Sequence, residues 1–94
     1  MKNCYVDYEH QSIVDLCDYG NGLMITRINV LPKHRGKGIG SKLLKQVCDD
    51  ADKEKIILWL EILPSGPLDY DALKAWYERY GFKGNGIYHR KPKQ

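Results

Sequence analysis

Long apolar stretches are missing from this sequence. The longest apolar run, residues 56–63, covers eight positions with Glu61 inside it, far short of the ~20 residues that cross a bilayer. A membrane-spanning helix is therefore not expected. Residues 1–7 hold one lysine and then mostly polar positions, with no apolar h-region, so no signal peptide is expected and a cytoplasmic location follows. Cysteine is scarce as well. Cys4, Cys17 and Cys48 are isolated and odd in number, which removes a disulfide framework, a CxxC redox couple and a cysteine metal knuckle, and suits free thiols in a reducing compartment. The histidines His10, His34 and His89 are equally scattered, and no metal site is expected.

What is present suits a folded protein. Apolar residues make up 43% and charged residues 29% of the 94 positions, and ten aromatics (seven Tyr, two Trp, one Phe) supply bulk for burial. That length allows one core, so a single domain over residues 1–94 is expected. The net charge of +3 is too small to argue for nucleic acid by itself. Its distribution is more informative: residues 27–45 contain six basic residues, three glycines and no acid, whereas residues 1–22 set Lys2 against Asp7, Glu9, Asp15 and Asp18.

The local pattern alternates strand and helix. Residues 4–18 read as a hairpin broken at Glu9-His10-Gln11, and Tyr19-Gly20-Asn21-Gly22 is a turn leading into a strand over residues 23–31 that Pro32 ends. From Ile39 apolar residues recur at Leu43, Leu44, Val47, Cys48 and Ala51, the spacing of an amphipathic helix to about Lys53. Cys48 on that stripe is expected to be a small buried hydrophobe. Residues 56–63 read as a strand covered on both faces. Beyond Pro64-Ser65-Gly66-Pro67, Asp69 or Asp71 can cap a second helix with an inner face of Leu73, Trp76, Tyr77 and Tyr80, closed by Gly81 in a left-handed cap. Residues 82–90 can supply a last strand. The fold class is therefore α/β, a mixed β-sheet around a right-handed βαβ unit with an N-terminal hairpin and a C-terminal helix plus strand.

The junction from strand to helix carries chemistry. In His34-Arg35-Gly36-Lys37-Gly38-Ile39-Gly40-Ser41, glycines at 36, 38 and 40 let the backbone turn sharply beside a helix N-terminus, whose unpaired N–H groups and dipole attract an anion. A diphosphate fits such a loop. The pattern is neither a P-loop, since no Gly-Lys-Ser/Thr triplet occurs, nor a dinucleotide fingerprint, since the glycines alternate. A bare connector is the alternative, but it gives no reason for Arg35 and Lys37 between the glycines.

These residues resemble a known family. Val30-x-Pro32-x-x-Arg35-Gly36-x-Gly38-Ile39-Gly40, followed by Leu43-Leu44, is similar to motif A of the GCN5-related N-acetyltransferase (GNAT) family. Leu58-Trp59-Leu60-Glu61 and Ala75-Trp76-Tyr77-Glu78-Arg79-Tyr80-Gly81-Phe82 look most like the branch that acetylates ribosomal-protein N-termini. The resemblance covers residues 23 to about 90, the expected core of the domain (23–90), and implies acetyl-CoA as the cofactor. Ile28, Asn29 and Val30 would pair with its pantetheine arm, the backbone of Arg35, Gly36, Lys37, Gly38, Ile39, Gly40 and Ser41 would hold its pyrophosphate, and Tyr77 would lie near the sulfur.

Amine acetylation needs a group to take the amine proton and one to serve the departing thiolate. Glu61, the one charged residue in its apolar run, is expected to be buried, with a raised pKa that suits a general base. An ion pair with Arg27 or Arg79 is the structural alternative. Tyr77 sits where the family has its general acid, while Trp76 and Tyr80 read as packing. The family's helices ahead of motif A are reduced to about 22 residues before Leu23, leaving the acceptor side open, as for an amine on a protein or other large molecule. Two further readings stand beside this one: a coenzyme A-binding sensor without turnover, and a nucleic-acid binder using residues 27–45 with Lys83, Arg90, Lys91 and Lys93. A small open sheet lacking one flank also points toward a homodimer.

Overall fold

The computed structural model describes residues 1–30, 38–64 and 68–93. Strands β1 (Cys4–Asp7) and β2 (Ser12–Tyr19) form the expected hairpin, and the turn at Gly20-Asn21 brings β3 (Gly22–Asn29) back against β2. Helix α1 (Ile39–Glu54) then crosses to β4 (Leu58–Glu61), which pairs parallel with β3. Helix α2 (Tyr70–Arg79) is followed by β5 (Lys83–Asn85) and β6 (Ile87–Arg90). The sheet runs β1-β2-β3-β4-β6-β5.

Two expectations change in detail. The strand foreseen over residues 56–63 is confined to Leu58–Glu61, and only one of its faces is buried. The last strand over residues 82–90 is a hairpin, because Gly86 at φ 87 reverses the chain between β5 and β6.

Strand periodicity of two decides which face is buried. On the inner face Tyr5, Val14, Leu16, Leu23, Ile25, Leu58, Leu60 and Tyr88 form one cluster with Leu43, Leu44, Val47, Cys48 and Ala51 of α1. Leu73, Trp76, Tyr77 and Tyr80 of α2 pack against the same cluster, so both helices cover the same side of the sheet. Each fully buried Leu or Val contributes about 1.5–3 kcal/mol relative to exposure. Cys48 belongs to this core, and burial pushes its thiol up to about 11, as expected of an inert packing residue. The opposite, outer face carries Met24, Trp59, Glu61, Ile87 and His89, and no described helix or strand lies over it.

Arg90, 3% exposed, ties the layers together. Its guanidinium donates to both carboxylate oxygens of Asp52 on α1 at 2.8 and 2.9 Å, and its Nε donates to the Tyr80 carbonyl at 2.6 Å. Bidentate pairing of this kind is the strong form of a charged hydrogen bond. It also removes Arg90 from any basic surface for nucleic acid. Among the described residues no helix is long and apolar enough to cross a membrane.

Candidate active site

The site begins as a defect in strand pairing. Between β2 and β3 the register passes from Asp15 opposite Arg27 to Leu16 opposite Ile25, leaving Thr26 as an extra residue. Such a bulge bends its strand and increases the twist. Thr26 Oγ1 donates to the Asp15 carbonyl at 3.2 Å, which fixes the bulge. Pairing of β3 with β4 covers Leu23, Met24 and Ile25 only, opposite Leu58, Trp59 and Leu60. Beyond Ile25 the two strands splay, and among the described residues no strand pairs with the edge of β3 that faces β4. A cleft of about 950 Å³ opens in the splay, between β3, the first turn of α1, the end of β4 and one face of α2.

The α1 end of this cleft suits an anion. Gly38 is the N-cap residue in the left-handed region at φ 75, ψ 13, a conformation that costs other residues energy. It offers no side chain to the N–H groups of the first turn, and no acidic residue stands in that turn. Donors left open in this way, with the helix dipole behind them, favour negative charge. Val30 and the Trp76 ring flank this first turn closely, since a Cβ at Gly40 would lie 3.5 Å from Val30 and 3.7 Å from the Trp76 ring, at ordinary contact distance. Arg35, Gly36 and Lys37, expected to take part, lie outside the described residues.

Helix α2 forms the opposite wall. Asp69 caps it by accepting from the Ala72 N–H at 2.8 Å, one of the two caps foreseen from sequence, and Gly81 at φ 95 continues the chain beyond it. Trp76 Nε1 donates to Ser41 Oγ at 3.0 Å and Tyr80 Oη donates to the Ser41 carbonyl at 3.5 Å, so α2 is docked on the first turn of α1. Trp76 therefore does more than pack, which the sequence reading missed. The available signal was its indole N–H, which requires a partner when buried on an apolar stripe.

Tyr77 lines the cleft with its ring against Phe82 and Trp76, at centroid distances of 5.8 and 4.9 Å. Burial pushes its phenol up to about 12. No hydrogen bond to a described residue engages its hydroxyl. Glu61 lines the same cleft but is exposed, which corrects the expected burial. The reason is positional: Leu58 and Leu60 point inward, so Trp59 and Glu61 point outward, and Glu61 stands at the last residue of β4 where the splay begins. The ion-pair alternative is not formed. Arg27 is held by Asp15 at 2.7 Å, and Glu61 makes no ion pair among the described residues.

Of the site residues expected from sequence, Ile28, Asn29, Val30, Gly38, Ile39, Gly40, Ser41, Glu61 and Tyr77 all line this one cleft. A parallel pair of strands that splays, a glycine-led helix start without a side-chain cap, and the side chains of Glu61 and Tyr77 thus meet at one cleft. The acetyltransferase (GNAT) domain family matches residues 2–84. The chain belongs to that family, and it is an N-acetyltransferase whose cofactor is acetyl-CoA.

Solved structures share its fold. The anti-CRISPR protein AcrVA5 superposes with a TM-score of 0.72 at 17% identity, covering 94% of this chain and 98% of its own. The ribosomal-protein-S18-alanine N-acetyltransferase from Escherichia coli gives 0.72 at 22% identity, covering 88% of this chain and 62% of its own. The PaiA N-acetyltransferase from Thermoplasma acidophilum, in complex with coenzyme A, gives 0.62 at 22%, covering 85% of this chain and 52% of its own. The chain thus spans under two thirds of the length of the latter two.

Proposed function

We propose that the chain acts as a single domain that transfers the acetyl group of acetyl-CoA to a primary amine on a protein or other large acceptor, with Glu61 and Tyr77 as its catalytic residues. The observation that carries this reading is their placement. Both line one cleft at the splay between β3 and β4, Glu61 on the outer side and Tyr77 on the helix side, and neither the Glu61 carboxylate nor the Tyr77 hydroxyl is hydrogen-bonded or ion-paired to another described side chain. A base facing solvent and a donor facing the helices suit an acceptor arriving from one side and a donor molecule held on the other.

The roles follow from the groups. Bound acetyl-CoA supplies an activated acyl carbon and a thiol as leaving group. The backbone of residues 35–41 would hold the pyrophosphate, and Ile28, Asn29 and Val30, at the splayed end of β3 and just beyond it, would align the pantetheine arm. The Glu61 carboxylate takes the proton that the amine loses as the C–N bond forms. Tyr77 donates a hydrogen bond toward the sulfur as the C–S bond breaks. With its phenol pushed up to about 12 against a thiol near 8.5, Tyr77 keeps most of its proton. It acts by stabilising the developing thiolate, a refinement of the full proton donor foreseen from sequence.

Mass spectrometry of candidate proteins and peptides after incubation with isotope-labelled acetyl-CoA tests the reading. A labelled acetyl group on an amine supports it. Coenzyme A release with no acetylated amine in any acceptor would overturn it.

A further inference from the structure

The outer face of the sheet has a composition unlike ordinary solvated surface. Met24, Trp59 and His89 stand side by side across β3, β4 and β6. The Tyr19 ring lies 5.4 Å from Trp59 and the His89 ring 5.4 Å from it on the other side. Ile87, 43% exposed, is the register partner of Glu61, and Tyr19 is 37% exposed. Met24, Trp59 and His89 are half-buried beside the exposed Tyr19 and Ile87, an aromatic and aliphatic grouping of the kind used in interaction sites. Trp59 Nε1 is buried without a hydrogen-bond partner, the one such side-chain atom found among the described residues. An unmet buried donor is costly, and a carbonyl from outside the chain would relieve it once Tyr19 or His89 swings away.

We infer that this face docks the acceptor itself, as an extended peptide segment with a bulky apolar side chain seated on Trp59 and its amine reaching Glu61. The inference rests on the function proposed above. The patch is continuous with that site, because Trp59 and Glu61 lie two residues apart on one strand face. A second copy of the chain seated here would close the approach to Glu61. Nucleic acid finds no free positive charge at the centre: Arg27 is neutralised by Asp15, and Glu61 is an acid. At about 3.3 Å per residue, the distance from Trp59 to Glu61 corresponds to an apolar residue roughly two to four positions from the acetylated amine.

The test uses matched short peptides that present the amine either as a lysine side chain or as an α-amine, each with phenylalanine or glycine about three positions away. The expected result, in whichever series is acetylated, is a kcat/KM at least about tenfold higher for the phenylalanine peptide, the size of effect typical of a central aromatic anchor. Trp59→Ala should abolish that preference while the thermal shift induced by acetyl-CoA stays at its wild-type value. Tyr19→Ala, at an exposed position, should weaken the preference and serves if Trp59→Ala folds poorly. No phenylalanine preference, or one that persists in both variants, overturns the inference while leaving the acetyltransferase reading intact. Acetylation of none of the peptides, with acetyl-CoA bound, refutes the peptide acceptor and the inference together.

Discussion

Gly22 stands where β3 leaves the turn, at the closed end of the splay. A Cβ placed on it would meet the Ile57 carbonyl oxygen at 2.1 Å. That oxygen accepts a hydrogen bond from the Leu23 N–H at 3.0 Å, one of the links that start the β3–β4 pairing. In Gly22→Ala the obstacle is backbone, so β3 and the approach to β4 must separate by ~1 Å before the contact reaches an ordinary value. The Leu23 bond then stretches out of range. Losing it and leaving its buried partners unsatisfied costs about 2–3 kcal/mol, offset by roughly 0.4–1 kcal/mol from the reduced freedom of the unfolded chain. The net loss is ~2 kcal/mol, which lowers Tm by about 8–16 °C in a domain of this size. Differential scanning calorimetry reads it directly. A Tm for Gly22→Ala within about 2 °C of wild type would refute the claim that β3 and β4 are clamped at this end and open at the other.

Gly38→Asp should leave the fold nearly as stable as wild type, since among the described residues, chain neighbours aside, no atom lies within 4 Å of the new Cβ and a negative charge at a helix start offsets the cost of a left-handed aspartate. The same charge should abolish the Tm rise that acetyl-CoA gives to the native protein. Asp52→Ala should cost about 3 kcal/mol by leaving Arg90 buried and unpaired. In the wild type the Arg90 guanidinium holds the Asp52 carboxyl below its usual range, so this pair contributes stability above about pH 4 that is lost as pH falls through the lowered value. Mass spectrometry after thiol alkylation of the native protein should find Cys17 labelled and Cys48 protected, given its burial and its thiol pushed up to about 11.

The elements with a dense pattern were legible from sequence. The α1 stripe from Ile39 to Ala51 and Gly38 before it fixed a helix and its start, because both depend on local spacing. The parallel pairing of β3 and β4 also followed, from the handedness of the crossover. The state of Glu61 was not legible. An acid within an apolar run reads as buried, yet strand alternation places it with Trp59 on a face that no described element covers. That outcome depends on where α2 returns, which is a tertiary fact. The Thr26 bulge was equally hidden, since nothing in Ile25-Thr26-Arg27 distinguishes a bulged strand from a regular one. The bond from Trp76 to Ser41 joins residues 35 positions apart and needed the packed helices to be seen.

The most direct test of the proposed chemistry is the single-turnover rate of acetyl transfer in Glu61→Gln and Tyr77→Phe, measured beside acetyl-CoA affinity by calorimetry. Both changes are close to isosteric, so binding should stay near wild type while transfer slows by about 10²- to 10⁴-fold for Glu61→Gln, the range for general acid or base groups. Tyr77→Phe should slow transfer without altering an alkaline limb below about pH 11, because the phenol keeps its proton up to about 12. Transfer at the wild-type rate in Glu61→Gln would contradict the account and remove Glu61 from the reaction.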